Sequence, residues 1–311
     1  MTLREACQKG AEVLGKASVP EAALDAWYLL EWCTGVSRSH YLAYPEEALS
    51  KEQECRYLEA LEKRAERIPL QQITGEQEFM GLSFYVNEHV LIPRQDTEVL
   101  VEETAKFLKD GMRFLDLCTG SGCILLSLLH LRPGAEGTGA DLSPEALQVA
   151  ERNRVRLDAE VELIQSDLFD RIEGTFDVIV SNPPYIKREE IGTLMDEVRL
   201  HEPYMALDGH EDGLYFYRKI AEEAPGHLRA GGSLFLEIGW DQGESVSELL
   251  RQQGFTDVKV VKDLAGQMCI RDSLLQGPPP HWRSSPGAPR QPSRGAIPWR
   301  TEQASDSPGQ Q

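Results

Sequence analysis

From residue 113 onward, short apolar runs alternate with amphipathic segments, and that alternation limits the fold more than any other feature of the chain. RFLDL, GTGAD, VELIQ, DVIVSN, SLFLEI and VKVV are each too short for a helix, and stretches with helical spacing separate them. One helix is expected from Asp96 to about Asp110, one from Ser121, and one after Ser143 and Pro144. Strands buried on both faces and separated by helices form a parallel sheet covered on both sides. The expected class is α/β, a doubly wound, mostly parallel Rossmann-like sheet. Ligands of such sheets bind outside the carboxyl ends of the strands.

Residues 1–72 have a different character and predict a small helical bundle. Pro20 opens a segment in which Leu24, Trp27, Tyr28 and Glu31 keep helical spacing, and Gly35 stops it. Ser50 and Gln53 are spaced as a capping box before Cys55, Leu58, Leu61, Ala65 and Ile68, with Pro69 ending that helix. His40 is expected on the surface or at a cap. Residues 73–93 change period: EQEFMGLSFYVNEHVLI alternates around Gly81, which predicts a β-hairpin linker. The α/β domain is expected over residues 94–266. Residues 267–311 differ again. Eight of the chain's 18 prolines fall between Pro278 and Pro308, and such a segment is expected to stay disordered.

Charge narrows the function. The 311 residues carry a net −19, of which 71–266 hold −18, residues 1–70 hold −3 and the tail +2. That balance disfavours a polybasic nucleic-acid or membrane binder. The first residues mix an acid and a base without an apolar run, and nothing approaches the ~18 apolar residues of a membrane span. A cytoplasmic protein is expected. The six cysteines (Cys7, Cys33, Cys55, Cys118, Cys123 and Cys269) have no CxxC pair and no ligand-like spacing with histidine, so free thiols are expected and no metal.

Four strand ends carry candidate chemistry. DLCTGSG at 116–122 joins a strand to a helix through glycines, so Cys118, Thr119, Gly120, Ser121 and Gly122 can bring backbone N–H groups close to a ligand. It lacks the spacing of a phosphate cradle. Asp141 ends the next strand, where a carboxylate can accept from both ribose hydroxyls of a nucleoside, or simply cap the following helix. Asp167 and Leu168 follow the third strand, where a carboxylate can reach the exocyclic amine of adenine. Three such groups on adjacent strands favour a nucleoside cofactor over three separate caps. The strongest signal is Asn182, Pro183, Pro184 and Tyr185. The prolines remove two N–H donors and leave acceptors beside an aromatic face. That set suits a planar –NH2 group, which donates two hydrogen bonds and can stack.

With these motifs, residues 1–266 resemble the class I S-adenosylmethionine-dependent methyltransferases, and specifically the release-factor glutamine methyltransferases (the PrmC/HemK family). The resemblance rests on the helical leader, the hairpin, LIPRQDTE at 91–98, the glycine loop, Asp141, Asn182 to Tyr185, Glu202 with Pro203, and Ala206 with Leu207. It implies a Rossmann-like methyltransferase sheet and methyl transfer to the side-chain nitrogen of the glutamine in a Gly-Gly-Gln loop of release factors. By the same resemblance, residues 118–122 hold the methionine part of S-adenosylmethionine, Asp141 its ribose, and Asp167 and Leu168 its adenine. Asn182 and the Pro183 carbonyl grip the substrate amide, Asn182 also contacts the cofactor, and Tyr185 packs against the amide. Arg94 and Thr97 play a supporting role, the bundle helps dock the release factor, and the enzyme acts as a monomer without direct nucleic-acid contact.

Two departures from the family stand out. Cys118 occupies a position where many relatives have glycine, and its side chain reads as packing, not as a nucleophile. After Gly266 the resemblance stops. The family continues into a final strand beside VKVV, whereas QMCIRDSLLQGPPP does not read as one, so the tail is expected to be foreign to the gene and the sheet edge left open. The alternatives are a glutamine methyltransferase acting on a ribosomal protein, an amino-methylating DNA or RNA methyltransferase that grips a flipped base, and a cofactor-free remnant. The acidity of 71–266 counts against the nucleic-acid reading.

Overall fold

The computed structural model describes residues 1–262 and 269–274. The chain opens with α1 (Leu3–Lys16), α2 (Ala22–Thr34), α3 (Arg38–Ala43), α4 (Lys51–Ala65) and α5 (Leu70–Thr74). Local chemistry sets their ends. Thr2 with Glu5 and Ser50 with Gln53 form reciprocal capping boxes, and Gly35 takes the left-handed conformation that closes α2. The helix expected to run to Pro69 ends earlier, at Ala65, where Glu66 and then Arg67 at φ +69° turn the chain. Tyr57 is fully buried in the bundle, and its hydroxyl donates to the carbonyls of Ala6 and Ala26 at 3.0 and 3.2 Å, tying three helices together. His40 sits at the surface against Glu47.

The hairpin follows as β1 (Glu76–Phe79) and β2 (Leu82–Tyr85). Met80 and Gly81 both have positive φ, the conformation of a two-residue turn that matches strand twist. Then come α6 (Asp96–Phe107), β3 (Arg113–Leu117), α7 (Cys123–Leu131), β4 (Glu136–Asp141), α8 (Pro144–Arg156), β5 (Val161–Gln165), β6 (Phe176–Ser181), α9 (Asp196–His201), α10 (Tyr204–Leu207), α11 (Tyr215–His227), β7 (Leu228–Ile238), α12 (Gly243–Gln252), β8 (Thr256–Lys262) and β9 (Cys269–Leu274). The main sheet runs β5-β4-β3-β6-β7-β9-β8, parallel except where β9 meets its neighbours. Strand order reverses between β3 and β6.

Period-two alternation divides the core between the two faces. Leu115, Leu117, Ile179, Leu234 and Leu236 pack with Tyr217 and Ile220 of α11 on one face, while Phe114, Val178, Val180 and Phe235 pack with α6 and α7 on the other.

The chain after Gly266 does supply a strand: β9 lies between β7 and β8, antiparallel to both, so this sheet edge is not left open at that place. Strands on either side present rows of unpaired N–H and C=O groups, and a segment that satisfies them is held by its main chain even when its side-chain pattern is weak. The remaining expectation for the tail falls on residues outside those described.

Two polar clusters join distant parts. Arg64, buried, donates to Asp25 at 2.7 Å and to Glu197 of α9 at 2.8 Å, and Arg67 adds a second guanidinium. Burial alone would raise the Glu197 carboxyl, but these hydrogen bonds hold it at about 2. Asn153 of α8 is fully buried, donating to the carbonyls of Tyr85 and Ser121 and accepting from the Tyr85 N–H at 2.7 Å. It fastens the hairpin to the glycine loop.

Candidate active site

A cavity with about 990 Å³ of empty space, its open mouth included, lies at the carboxyl ends of β3, β4, β5 and β6. It straddles the reversal in strand order, where doubly wound sheets bind their ligands. Val90, Leu91, Ile124, Leu142 and Leu168 give it apolar walls, and Asp141, Asp167, Arg94, Thr97 and Asn182 supply polar groups.

On one side the glycine loop is held by a buried acid. Asp116, fully buried, accepts from the Thr119 hydroxyl at 2.6 Å and from the Leu125 N–H in the first turn of α7 at 3.2 Å. Burial pushes its carboxyl up to about 7 against the pull of those donors. Asp141 accepts from the Gly120 N–H at 2.8 Å and from the Ser143 N–H at 2.9 Å, one on each oxygen. Burial raises it, and the backbone donors oppose the rise. Gly120 and Gly122 have positive φ, and a Cβ built at Gly120 would meet nothing within 4 Å, so its backbone stands bare. Cys118 and Leu168 also have positive φ, at +58° and +47°. Such strain in residues other than glycine clusters at functional sites. Burial drives the Cys118 thiol far up, away from the thiolate a nucleophile needs.

Across the cavity stands Asn182, directly after β6. Ser181 donates to the Leu117 carbonyl at 2.8 Å and fixes the end of β6 against β3. Asn182 Nδ2 is 3.5 Å from the Thr97 hydroxyl. Arg94 donates to Glu202 at 2.5 Å, a carboxylate that is nearly completely buried and whose other oxygen lacks a partner among the described residues. Burial raises Glu202, and Arg94 pulls it back.

The cavity thus brings together Cys118, Thr119, Gly120, Ser121, Asp141, Asp167, Leu168, Asn182 and Pro184. Gly122 stands one residue behind the wall as the left-handed cap of α7. Pro183 is buried and Tyr185 half-buried, and neither lines the cavity. The Tyr185 ring packs on the core beside α11, and its carbonyl accepts from Gln242 at 2.9 Å. Asp167 is exposed at the cavity rim. Sequence reasoning missed Asn153, Asp116 as the loop's anchor, the pairing of Glu202 with Arg94, and Glu237. The last had a signal: it is the one charge in the strand run SLFLEI.

Two family models match the chain, the PrmC N-terminal domain over residues 5–75 and the methyltransferase small domain over residues 95–200. A release factor glutamine methyltransferase of Caulobacter vibrioides is 43% identical over 270 residues, covering 85% of this chain and 93% of that protein. One from Moorella thermoacetica is 43% identical over 273 residues, covering 86% and 96%. The crystal structure of a release factor-specific protein-(glutamine-N5) methyltransferase from Alicyclobacillus acidocaldarius is 33% identical, with a TM-score of 0.38 over 62% of this chain and 99% of that one.

Proposed function

This chain belongs to the release factor glutamine methyltransferase family, and from that premise we propose that it methylates the side-chain nitrogen, N5, of the glutamine in the Gly-Gly-Gln motif of peptide chain release factors, with S-adenosylmethionine as donor. The observation that carries the reading is the shared cavity: a nucleoside-type half and the Asn182 acceptor half open into one space.

The residues fit that cofactor. Its sulfonium and ammonium groups are cationic, and the cavity presents the carboxylates of Asp141 and Asp167, whereas its guanidinium, Arg94, is already paired with Glu202. Asp141 keeps lone pairs free after its two backbone bonds and would hold the ribose. Residues 118–122 would hold the methionine part, and Asp167 and Leu168 would flank the adenine. When bound, the cofactor supplies an electrophilic methyl group.

The chain's own residues do the rest. An amide nitrogen is a poor nucleophile because its lone pair is conjugated with the carbonyl. Asn182 Oδ1 and the Pro183 carbonyl, on the peptide bond to the cavity-lining Pro184, accept from its two hydrogens and aim it at the methyl, which favours a near-attack geometry. The same fixed acceptors stabilise the positive charge that grows on nitrogen during transfer. Pro184 keeps the loop rigid, and the nitrogen loses its extra proton after transfer. Tyr185 stiffens the loop from behind.

The bundle docks the protein substrate. Leu24, Tyr28 and Trp32 of α2 lie one turn apart and are exposed. The protein works as a monomer in the cytoplasm, and no helix among the described residues is long and apolar enough to cross a membrane.

The deciding experiment incubates the purified chain with methyl-labelled S-adenosylmethionine and, separately, a release factor, a ribosomal protein fraction and nucleic acid. Mass spectrometry then locates the label. One added methyl on the glutamine of the Gly-Gly-Gln peptide is expected. Label confined to ribosomal protein or nucleic acid overturns the proposal.

A further inference from the structure

Glu237 is the penultimate residue of β7, 2% exposed, on the sheet face that packs against α6 and α7. Charged residues are almost never fully buried without a partner. Among the described residues, Glu237 has none at ordinary geometry on its Oε2. Thr97, Asn182 and Tyr185 lie beside this carboxylate, and each favours its ionised form as a donor would. The same Thr97 hydroxyl lies 3.5 Å from Asn182 Nδ2.

We propose that Glu237 is a positioning residue that sets the direction of the Asn182 side-chain amide. The proposal rests on the reading of Asn182 as acceptor of a substrate –NH2 group. An amide has two ends of nearly equal shape, one donating and one accepting, and only its surroundings decide which end faces where. An ionised carboxylate can only accept. It therefore turns the Asn182 NH2 toward itself, directly and through Thr97, and leaves Oδ1 for the cavity. A protonated carboxyl donates, and Asn182 can then present the wrong end to an amine. The negative charge also lies on the side from which Asn182 stabilises the cation growing on the substrate nitrogen.

The groups facing Glu237 are Asp96 and Thr97 of α6, Cys123 of α7, Asn182 and Tyr185 after β6, and Tyr217 of α11, whose hydroxyl donates to the Glu237 carbonyl at 2.9 Å. Burial pushes the Glu237 carboxyl up to about 7, its three donors pull it down, and Asp96 adds to the rise. The switch between the two amide directions thus falls near neutral pH.

The test has two arms. In the first, carbon-13 NMR follows the Glu237 carboxyl titration in the whole protein without cofactor or substrate, for the wild type and Asn182→Ala. Loss of a donor to the ionised form is expected to raise the midpoint by about half a unit or more, and an unchanged midpoint overturns the proposal. In the second, E237Q is assayed on the release factor across pH. Expected are a kcat about 10- to 100-fold lower with KM little changed, and loss of the acid limb that the wild type shows near neutrality. A wild-type kcat, or an acid limb kept in E237Q, overturns it. If the wild type itself does not methylate a release factor, the proposed function falls while the first arm still decides the role of Glu237.

Discussion

The two sides of the cavity are built by different means. On the glycine-loop side the contacts are short in sequence and largely main-chain: Asp116 reaches Thr119 and Leu125, and Asp141 reaches Gly120 and Ser143. On the Asn182 side the partners come from afar. Thr97 belongs to α6, Arg94 bonds Glu202 108 residues later, and Glu237 arrives on β7. Each side also holds one buried carboxyl pushed up to about 7, Asp116 and Glu237. The first is anchored by a hydroxyl and a helix N–H. The second faces side chains that can turn. A loop made of backbone holds a ligand in one shape, whereas a ring of side chains can be tuned and can also fail.

The largest expected effect comes from breaking the tunable side at its centre. Asn182→Ala should lower kcat by about 10²- to 10³-fold, the loss seen when one fixed polar group at a reacting centre is removed. Cofactor Kd by calorimetry should stay within a factor of about three. If cofactor binding collapses together with turnover, the two sides are one unit and the contrast is wrong. The complementary change, Asp141→Asn, should weaken cofactor Kd by about 10- to 100-fold, since charge-assisted hydrogen bonds are each worth about 1.5–3 kcal/mol. Titration of that variant with the cofactor checks it, and undiminished affinity would remove Asp141 from the site.

Arg94→Ala examines the long-range pairing. Glu202 would remain buried without its guanidinium, a loss of about 1–2 kcal/mol in stability. The pH dependence has a definite sign. Burial already raises Glu202, and losing Arg94 raises it further. The unfolded chain ionises Glu202 at its ordinary, lower value, so the folded variant is disfavoured once pH climbs from that value through the raised one. Thermal melts should show a deficit against wild type that is largest above the raised Glu202 midpoint and shrinks as pH falls toward the ordinary carboxylate range. A deficit that grows on acidification would mean that Glu202 is not the group involved.

The same contrast explains what the sequence made legible. RFLDL is β3 residue for residue, the Ser50 and Gln53 box and the Gly35 stop are present, and the helix after Ser143 begins at Pro144. All of these depend on neighbours within a few positions. The cavity residues at the ends of β3 to β6 were legible for the same reason, because a polar residue after an apolar strand marks itself. The pairing of Glu202 and the roles of Asn153 and Glu237 were not, since each depends on a partner 30 or more positions away or on an element packed across the sheet. β9 was missed for a related reason. CIRDSL places Arg271 and Asp272 side by side and blurs the alternation, while the open backbone of β7 and β8 that recruits it belongs to other parts of the chain. Pattern reading sees side chains, whereas the ladders to β7 and β8 are main-chain pairings.

The smallest expected effect isolates the backbone side by changing only conformational cost. Cys118 holds φ +58°, where an L side chain costs roughly 1–2 kcal/mol. Cys118→Gly removes that strain but adds about 0.5–1 kcal/mol of unfolded-chain entropy, so the two terms nearly cancel and stability should change by less than about 1 kcal/mol. Turnover should be retained, because the thiol is held far from its ionised form and contributes packing alone. Cys118→Val tests the other direction: a β-branched side chain is a worse occupant of the left-handed region, so the melting temperature should fall and cofactor affinity with it as the loop shifts. If both variants behaved alike, the shape of the glycine loop would not depend on the conformation of residue 118. If glycine alone abolished turnover, the thiol would have a chemical role that its burial argues against.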